Sequence, residues 1–298
     1  MIHQNLNRIA ANPPPMPLGP AAESVHDRTI ADWVRELLGR ERPVTVLGPS
    51  AELLAAVTVG IFEDPPVGAD TRPPVVVAER GTLETIDDTF GVAHRVSELA
   101  DRGLVEFRVG EAARKAGPLL AGSGRVVTVV DFERSYGLVE VEDDRLRSLG
   151  RDRAARARES AARYEFDDRP EWRTVTTTLQ ERTNRETLEE LLDGLAARRA
   201  APAGRTLDVP TVALLAGART EAPQKGIAQW CESCDIAAAS TVSNRKSALA
   251  EHGLVTTKRA PPDGVGAPVH RLTVGDAYLA EQSMSTAYDI VADLFDGT

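Results

Sequence analysis

The sequence predicts an α/β domain with a mainly parallel, Rossmann-like sheet, followed by an α+β winged helix-turn-helix domain. Three observations predict it. Short strands rich in β-branched residues alternate with helical stretches from residue 44 to about 140. Two short helical stretches joined by a tight turn lie between Ile227 and Gly253. Two strands follow directly, at 254–258 and 270–274, around a loop holding Pro261, Pro262, Gly264 and Gly266.

Residues 1–22 are expected to be a disordered tail, because Pro13, Pro14, Pro15, Pro17 and Pro20 exclude a helix there. A first helix is expected from Glu23, with Val25, Ile30, Trp33, Val34, Leu37 and Leu38 as its apolar stripe and Gly39 as its stop. Strands are predicted at 44–47, 75–78 and 104–109, with helices at 51–62, 82–90, 93–102 and 112–120. Residues 125–131 and 136–141 read as a hairpin, and the acids of its turn as solvated. Asp143 opens a charged helix to about 163, whose Arg and acids interleave as a solvated face with i,i+4 pairs. Residues 165–177 read as irregular and 180–200 as one long helix with Leu188, Leu191, Leu192 and Leu195 on its stripe. Asp208 and Pro210 open the next helix as cap and first-turn proline. A final helix is expected over 275–295, with Leu279, Met284, Tyr288, Val291, Leu294 and Phe295 mostly on one side. The expected divisions are a tail at 1–22, a regulatory or effector domain at 23–177 and a connecting helix and linker at 178–204. The winged helix-turn-helix would occupy 205–274, and a C-terminal helix at 275–298 would serve a homodimer.

In the second helix of the pair, Ser240 is expected as N-cap, Ala238, Val242 and Leu249 as the inward side, and Gly253 as the stop. Thr241, Ser243, Asn244 and Ser247 are left on the outward side. Small polar side chains let a helix backbone approach the major groove of DNA and reach base edges. Ser240, Arg245 and Lys246 at the helix, and Lys258, Arg259 and Arg271 on the hairpin, fall where phosphates would lie.

The 298 residues carry a net charge of −10. Between Arg219 and Arg271, however, Arg219, Lys225, Arg245, Lys246, Lys258, Arg259 and Arg271 outnumber Glu221, Glu232, Asp235, Glu251 and Asp263. A local basic footprint in an acidic chain suits a DNA-binding domain joined to a larger domain with another task. Lys115, Lys225, Lys246 and Lys258 are the only lysines. An acidic, lysine-poor surface stays hydrated in concentrated salt, so a halophilic source is expected. No stretch of eighteen apolar residues and no secretory signal is visible, so a cytoplasmic chain without a membrane span is expected.

Gly48-Pro49-Ser50, after a strand and before a helix, is the natural place for a small anionic effector, through Gly48, Ser50 and the helix amides. It lacks the second glycine and lysine of a nucleotide-binding loop, and an ordinary βα turn is the better reading. Cys231 and Cys234 form a CxxC without a second pair, so core packing outweighs redox or metal sensing there. The five histidines are scattered and no nucleophile motif occurs. No catalytic residue, metal or cofactor is therefore expected. The rival readings are an α/β small-molecule enzyme, or a scaffold using the winged helix to bind protein.

Three segments carry a resemblance. They are the strand Gly-Arg-Val-Val-Thr-Val-Val-Asp-Phe ending at Phe132, the helix between Arg185 and Arg199, and Ser240-Thr-Val-Ser-Asn-Arg-Lys continuing to Glu251-His-Gly-Leu-Val. With the acidic α/β half before them, they resemble the haloarchaeal TbsP-type transcriptional regulators over most of the chain after residue 23. The Pro-rich start departs from that pattern. The resemblance implies an archaeal, cytoplasmic DNA-binding regulator of central metabolic genes, related in role to TrmB-like factors.

Overall fold

A computed structural model describes residues 44–63, 65, 72–113, 117–132, 135–201, 206–261 and 268–296. The expected tail and first helix lie outside the described residues. The chain divides into two compact units, Met1–Asp168 and Arg169–Thr298.

The first unit is built on a seven-stranded sheet of order β6-β5-β4-β1-β2-β3-β7. Its strands are β1 Thr45–Leu47, β2 Val75–Ala78, β3 Glu106–Val109, β4 Leu119–Ala121, β5 Val126–Phe132, β6 Ser135–Glu140 and β7 Ala162–Arg163. β1, β2 and β3 run parallel, while β4 to β7 pair antiparallel. Helix α1, Ala51–Glu63, joins β1 to β2, and α2, Arg80–Asp87, with α3, Val92–Asp101, joins β2 to β3. Their apolar sides cover one face of the sheet: Leu53, Leu54, Val57, Ile61, Leu83, Ile86, Val96 and Leu99 meet Val46, Val76, Ala78, Phe107, Leu120 and Val129. The other face, with Leu47, Val75 and Val77, meets Ala157 and Ala161 at the end of α4, Asp144–Ser160. Both faces of β1 and β2 are thus buried, which is why these strands are runs of Val and Leu rather than alternations.

Two expectations fail here. The helix expected over 112–120 is not found among the described residues there, which form a 3₁₀ turn at Glu111–Ala113 and then β4. Pro118 follows Gly117, lacks an amide and biases its predecessor away from helix, and β4 closes the ladder between β1 and β5. The charged helix stops at Ser160, three residues early, because the chain becomes β7 and pairs with β3. Asp143 does cap it, accepting from the amides of Arg145 and Leu146.

The second unit contains α5 Trp172–Arg182, α6 Arg185–Ala200, α7 Val209–Arg219, α8 Gln224–Ser233, α9 Ala239–Glu251, β8 Val255–Ala260, β9 Val269–Val274, α10 Ala277–Glu281 and α11 Met284–Asp296. Its hub is α7, buried at every position from Val209 to Ala218. Residues 172–177, expected irregular, form the start of α5. The single helix expected over 180–200 is broken at Thr183. Asn184 Oδ1 accepts from the Thr187 amide at 2.8 Å and begins a new helix. That helix packs on α7 and α11 inside the second unit. The expected final helix is also two, because Ser283 Oγ accepts from the Thr286 amide at 3.2 Å and caps α11 afresh. Tyr288 of α11 is fully buried and accepts from the Leu207 amide at 2.9 Å, so the apolar stripe of α11 fills its own unit's core.

Candidate nucleic-acid interface

The candidate site is α8, the following turn, α9 and the β8–β9 hairpin. Gly226, Ile227, Trp230 and Cys231 recur at helical spacing and form the buried side of α8. Trp230 also donates its indole N–H to the Val175 carbonyl at 2.9 Å, tying α8 to α5. After Cys234 the chain reverses through Asp235, at φ +54, in the left-handed region. The amides of Ile236 and Ala237 both reach the Cys231 carbonyl, at 2.8 and 3.3 Å, closing the turn.

α9 begins two residues earlier than expected. Its N-cap is Ala238, in extended conformation, with no side-chain cap. Ser240 therefore lies within the first turn, exposed, and Ala238 is exposed rather than inward. Val242 and Leu249 are buried as expected, seven residues apart on one side. Ser243, Asn244 and Ser247 are exposed and, with Ser240, share one stripe of the helix surface. Thr241 and Lys246 are half-buried at its margins. Gly253, at φ +69, ends the helix, and the Leu254 amide bonds the Leu249 carbonyl at 2.9 Å.

The basic residues divide into two kinds. Lys258 and Arg259 of β8 are exposed on the hairpin. Arg271, in register with Lys258, is half-buried and donates to the Glu221 carbonyl at 3.0 Å. Next to it the Leu272 amide bonds the Ala222 carbonyl at 2.9 Å, so β9 is fastened to the α7–α8 turn. Arg245 is likewise committed: its Nε lies 2.6 Å from Asp208 Oδ2. Asp208 Oδ1 meanwhile accepts from the Thr211 amide at 3.0 Å and from the Thr211 hydroxyl, capping α7. Arg245 thus meets an acid 37 residues away. The sequence shows Asp208 as a cap, and nothing local signals its second role.

Cys231 and Cys234 are both buried. Burial, with Cys234 beside it, pushes the Cys231 thiol up to about 12, and burial raises that of Cys234 too. Among the described residues no three His, Cys, Asp or Glu gather as a metal site would require. Because the fold favours the neutral thiol, its contribution to stability is complete below pH 9 and is lost as pH rises towards 12. We expect Cys231 to resist iodoacetamide in the native chain at neutral pH and to react on unfolding, as mass spectrometry would read; rapid native labelling would contradict its burial.

In the first unit, Gly48 has φ +62 and its amide donates to the Val77 carbonyl at 2.9 Å. Ser50 Oγ accepts from the Leu53 amide at 3.2 Å. The fold itself thus uses these two groups of the βα turn. No helix among the described residues is long and apolar enough to cross a membrane.

Residues 171–292 match the family model described as transcriptional regulator TbsP-like, C-terminal HTH domain, and residues 22–168 match that of the TbsP-like N-terminal region. No curated protein matches the chain. Among solved structures, that of TrmBL2, an archaeal chromatin protein described as showing a novel mode of DNA binding, is 13% identical, with a TM-score of 0.35. The match covers 47% of this chain and 52% of that one, so the chain spans about half the length of TrmBL2; a likeness of that size carries no argument about function.

Proposed function

The chain belongs to the TbsP-like transcriptional regulators, and from that premise we propose that it binds specific operators of metabolic genes in the cytoplasm as a homodimer. The first unit senses a small effector, anionic if the Gly48–Ser50 turn takes part, or joins the protomers. One observation supports the reading above the others. α9 presents Ser240, Ser243, Asn244 and Ser247 to solvent while Val242 and Leu249 hold its opposite side in the core, and the cationic Lys258 and Arg259 stand on the hairpin that follows. A helix so presented fits the major groove, with the hairpin as wing.

In this reading Asn244 is the principal base reader, because an amide pairs bidentately with adenine. Ser243, Ser247 and Thr241 add shorter contacts. Ser240 and Lys246 meet phosphates, as do Lys258 and Arg259 from the wing. Arg271 serves the wing by holding it against the Glu221 turn. Arg245 reaches a phosphate by exchanging its bond to Asp208 for one to DNA.

Fluorescence anisotropy on an operator selected from random sequence tests this. Asn244→Ala is expected to weaken that operator by about 1–3 kcal/mol, roughly 5- to 150-fold, and to leave unrelated DNA unchanged. Arg259→Ala is expected to weaken both alike and to reduce the salt slope by about one. Equal losses on both DNAs for the two variants would remove the division of labour.

A further inference from the structure

Asp208 is fixed from several sides. The preceding Leu207 amide donates to the Tyr288 hydroxyl of α11 at 2.9 Å, and the Leu207 carbonyl accepts from Arg198 Nε of α6 at 2.9 Å. The Asp208 carbonyl takes the first backbone bond of α7, from the Val212 amide at 3.1 Å. Its Oδ1 is occupied by the Thr211 amide and hydroxyl. Oδ2 is the oxygen that meets Arg245 Nε, at 2.6 Å. The carboxylate therefore has a set position, and it lies against α9.

Arg245 has more freedom. It follows Asn244 and stands one turn after Thr241, at the margin of the polar stripe of α9. Its side chain is 49% exposed and its stem is long and flexible. It can turn from Asp208 towards a phosphate, and Asp208 cannot follow. Carboxylate and phosphate bind a guanidinium by the same charge-assisted bonds, so the two acids compete for one cation.

We propose that Asp208 makes an autoinhibitory contact: it occupies Arg245 in the free protein and sets DNA affinity lower than the cations of this domain would give alone. This role rests on the reading above, because it requires the exchange of Arg245 on DNA, and it adds what that exchange costs. Each bond that Arg245 forms to a phosphate breaks one within the chain. The gain from Arg245 is thus a difference between two ion pairs, and DNA and Asp208 weaken each other's hold on it reciprocally. Neither bond touches a base, so the contact lowers affinity for operator and unrelated DNA alike.

Fluorescence anisotropy on the full-length chain, with operator and with unrelated duplex, tests this. Asp208→Asn keeps a capping side chain for α7 and removes the charge. It should tighten both DNAs by about 1.5- to 5-fold, the worth of an exposed ion pair. In an Arg245→Ala background the same substitution should gain less by that factor, because no pair remains to break. Arg245→Ala, in turn, should cost less in the wild type than in the Asp208→Asn chain. Asp208→Ser, with another capping side chain, gives the same test if the Asn variant misfolds. Unchanged or weaker DNA binding by the uncharged variants overturns the proposal. So does an equal gain in both backgrounds, which would make Asp208 only a general negative charge. A wild type that binds no DNA removes the regulator reading as well; a wild type that binds DNA but gains nothing from Asp208→Asn removes the autoinhibitory contact alone.

Discussion

Trp230→Ala is expected to lower the stability of the second unit by about 3–5 kcal/mol, the range for truncating a buried aromatic. Trp230 is wholly buried on α8, which packs on α5. The substitution removes that area and also leaves the Val175 carbonyl without its indole donor. Differential scanning calorimetry should show the melting of this unit falling by roughly 10–20 °C. Operator affinity should fall with it, because α8 is the platform against which α9 is held. Trp230→Phe keeps most of the area and should lose only about 1 kcal/mol beyond its smaller ring. A Trp230→Ala chain that melts like the wild type would show that α5 does not pack on α8.

Gly226→Ala is the second large effect, and two terms oppose each other in it. Within a helix, Ala is better than Gly by up to about 1 kcal/mol. Yet a Cβ at 226 would stand 2.2 Å from the carbonyl oxygen of Arg182 and 3.3 Å from Thr183 Cγ2. The first of these is backbone at the end of α5, so the helix itself must move and not just a side chain. Overpacking of this kind costs about 1–3 kcal/mol, and the movement also pulls Val175 away from Trp230. Sterics should win, with a net loss of about 2 kcal/mol in chemical denaturation. Gly81 on α2 is the control, with nothing within 4 Å of its ideal Cβ. There Ala should stabilise by up to about 1 kcal/mol. Equal and favourable shifts at both positions would refute the close approach of α5 and α8.

The candidate interface divides the same way. Val242 and Leu249 inward, Ser243, Asn244 and Ser247 outward and Gly253 as the stop were legible because each depends on neighbours within two helical turns. The cap was not. Ser240 is the better capping residue by chemistry, yet the Asp235 turn and its bonds to Cys231 set where the helix phase begins, and Ala238 falls at the boundary. The roles of Arg245 and Arg271 were equally hidden. A free arginine and one held by Asp208 or Glu221 have the same local sequence.

β1, β2, the β5–β6 hairpin and α7 could be read from composition and period. β4 and β7 could not, because a strand of two or three residues is stabilised by the partners beside it rather than by its own propensity. The breaks at Thr183 and Ser283 were invisible for a related reason. An isolated chain gains by continuing a helix through such residues, and only when each half has its own surface to cover does the cap become the better solution. Periodicity and backbone freedom over a few residues are enough to specify the two architectures, the turn glycine and the polar stripe of α9. Only the packed fold set which cations are held and where helices restart. Those outcomes depend on groups tens of residues apart that meet only once the core has closed.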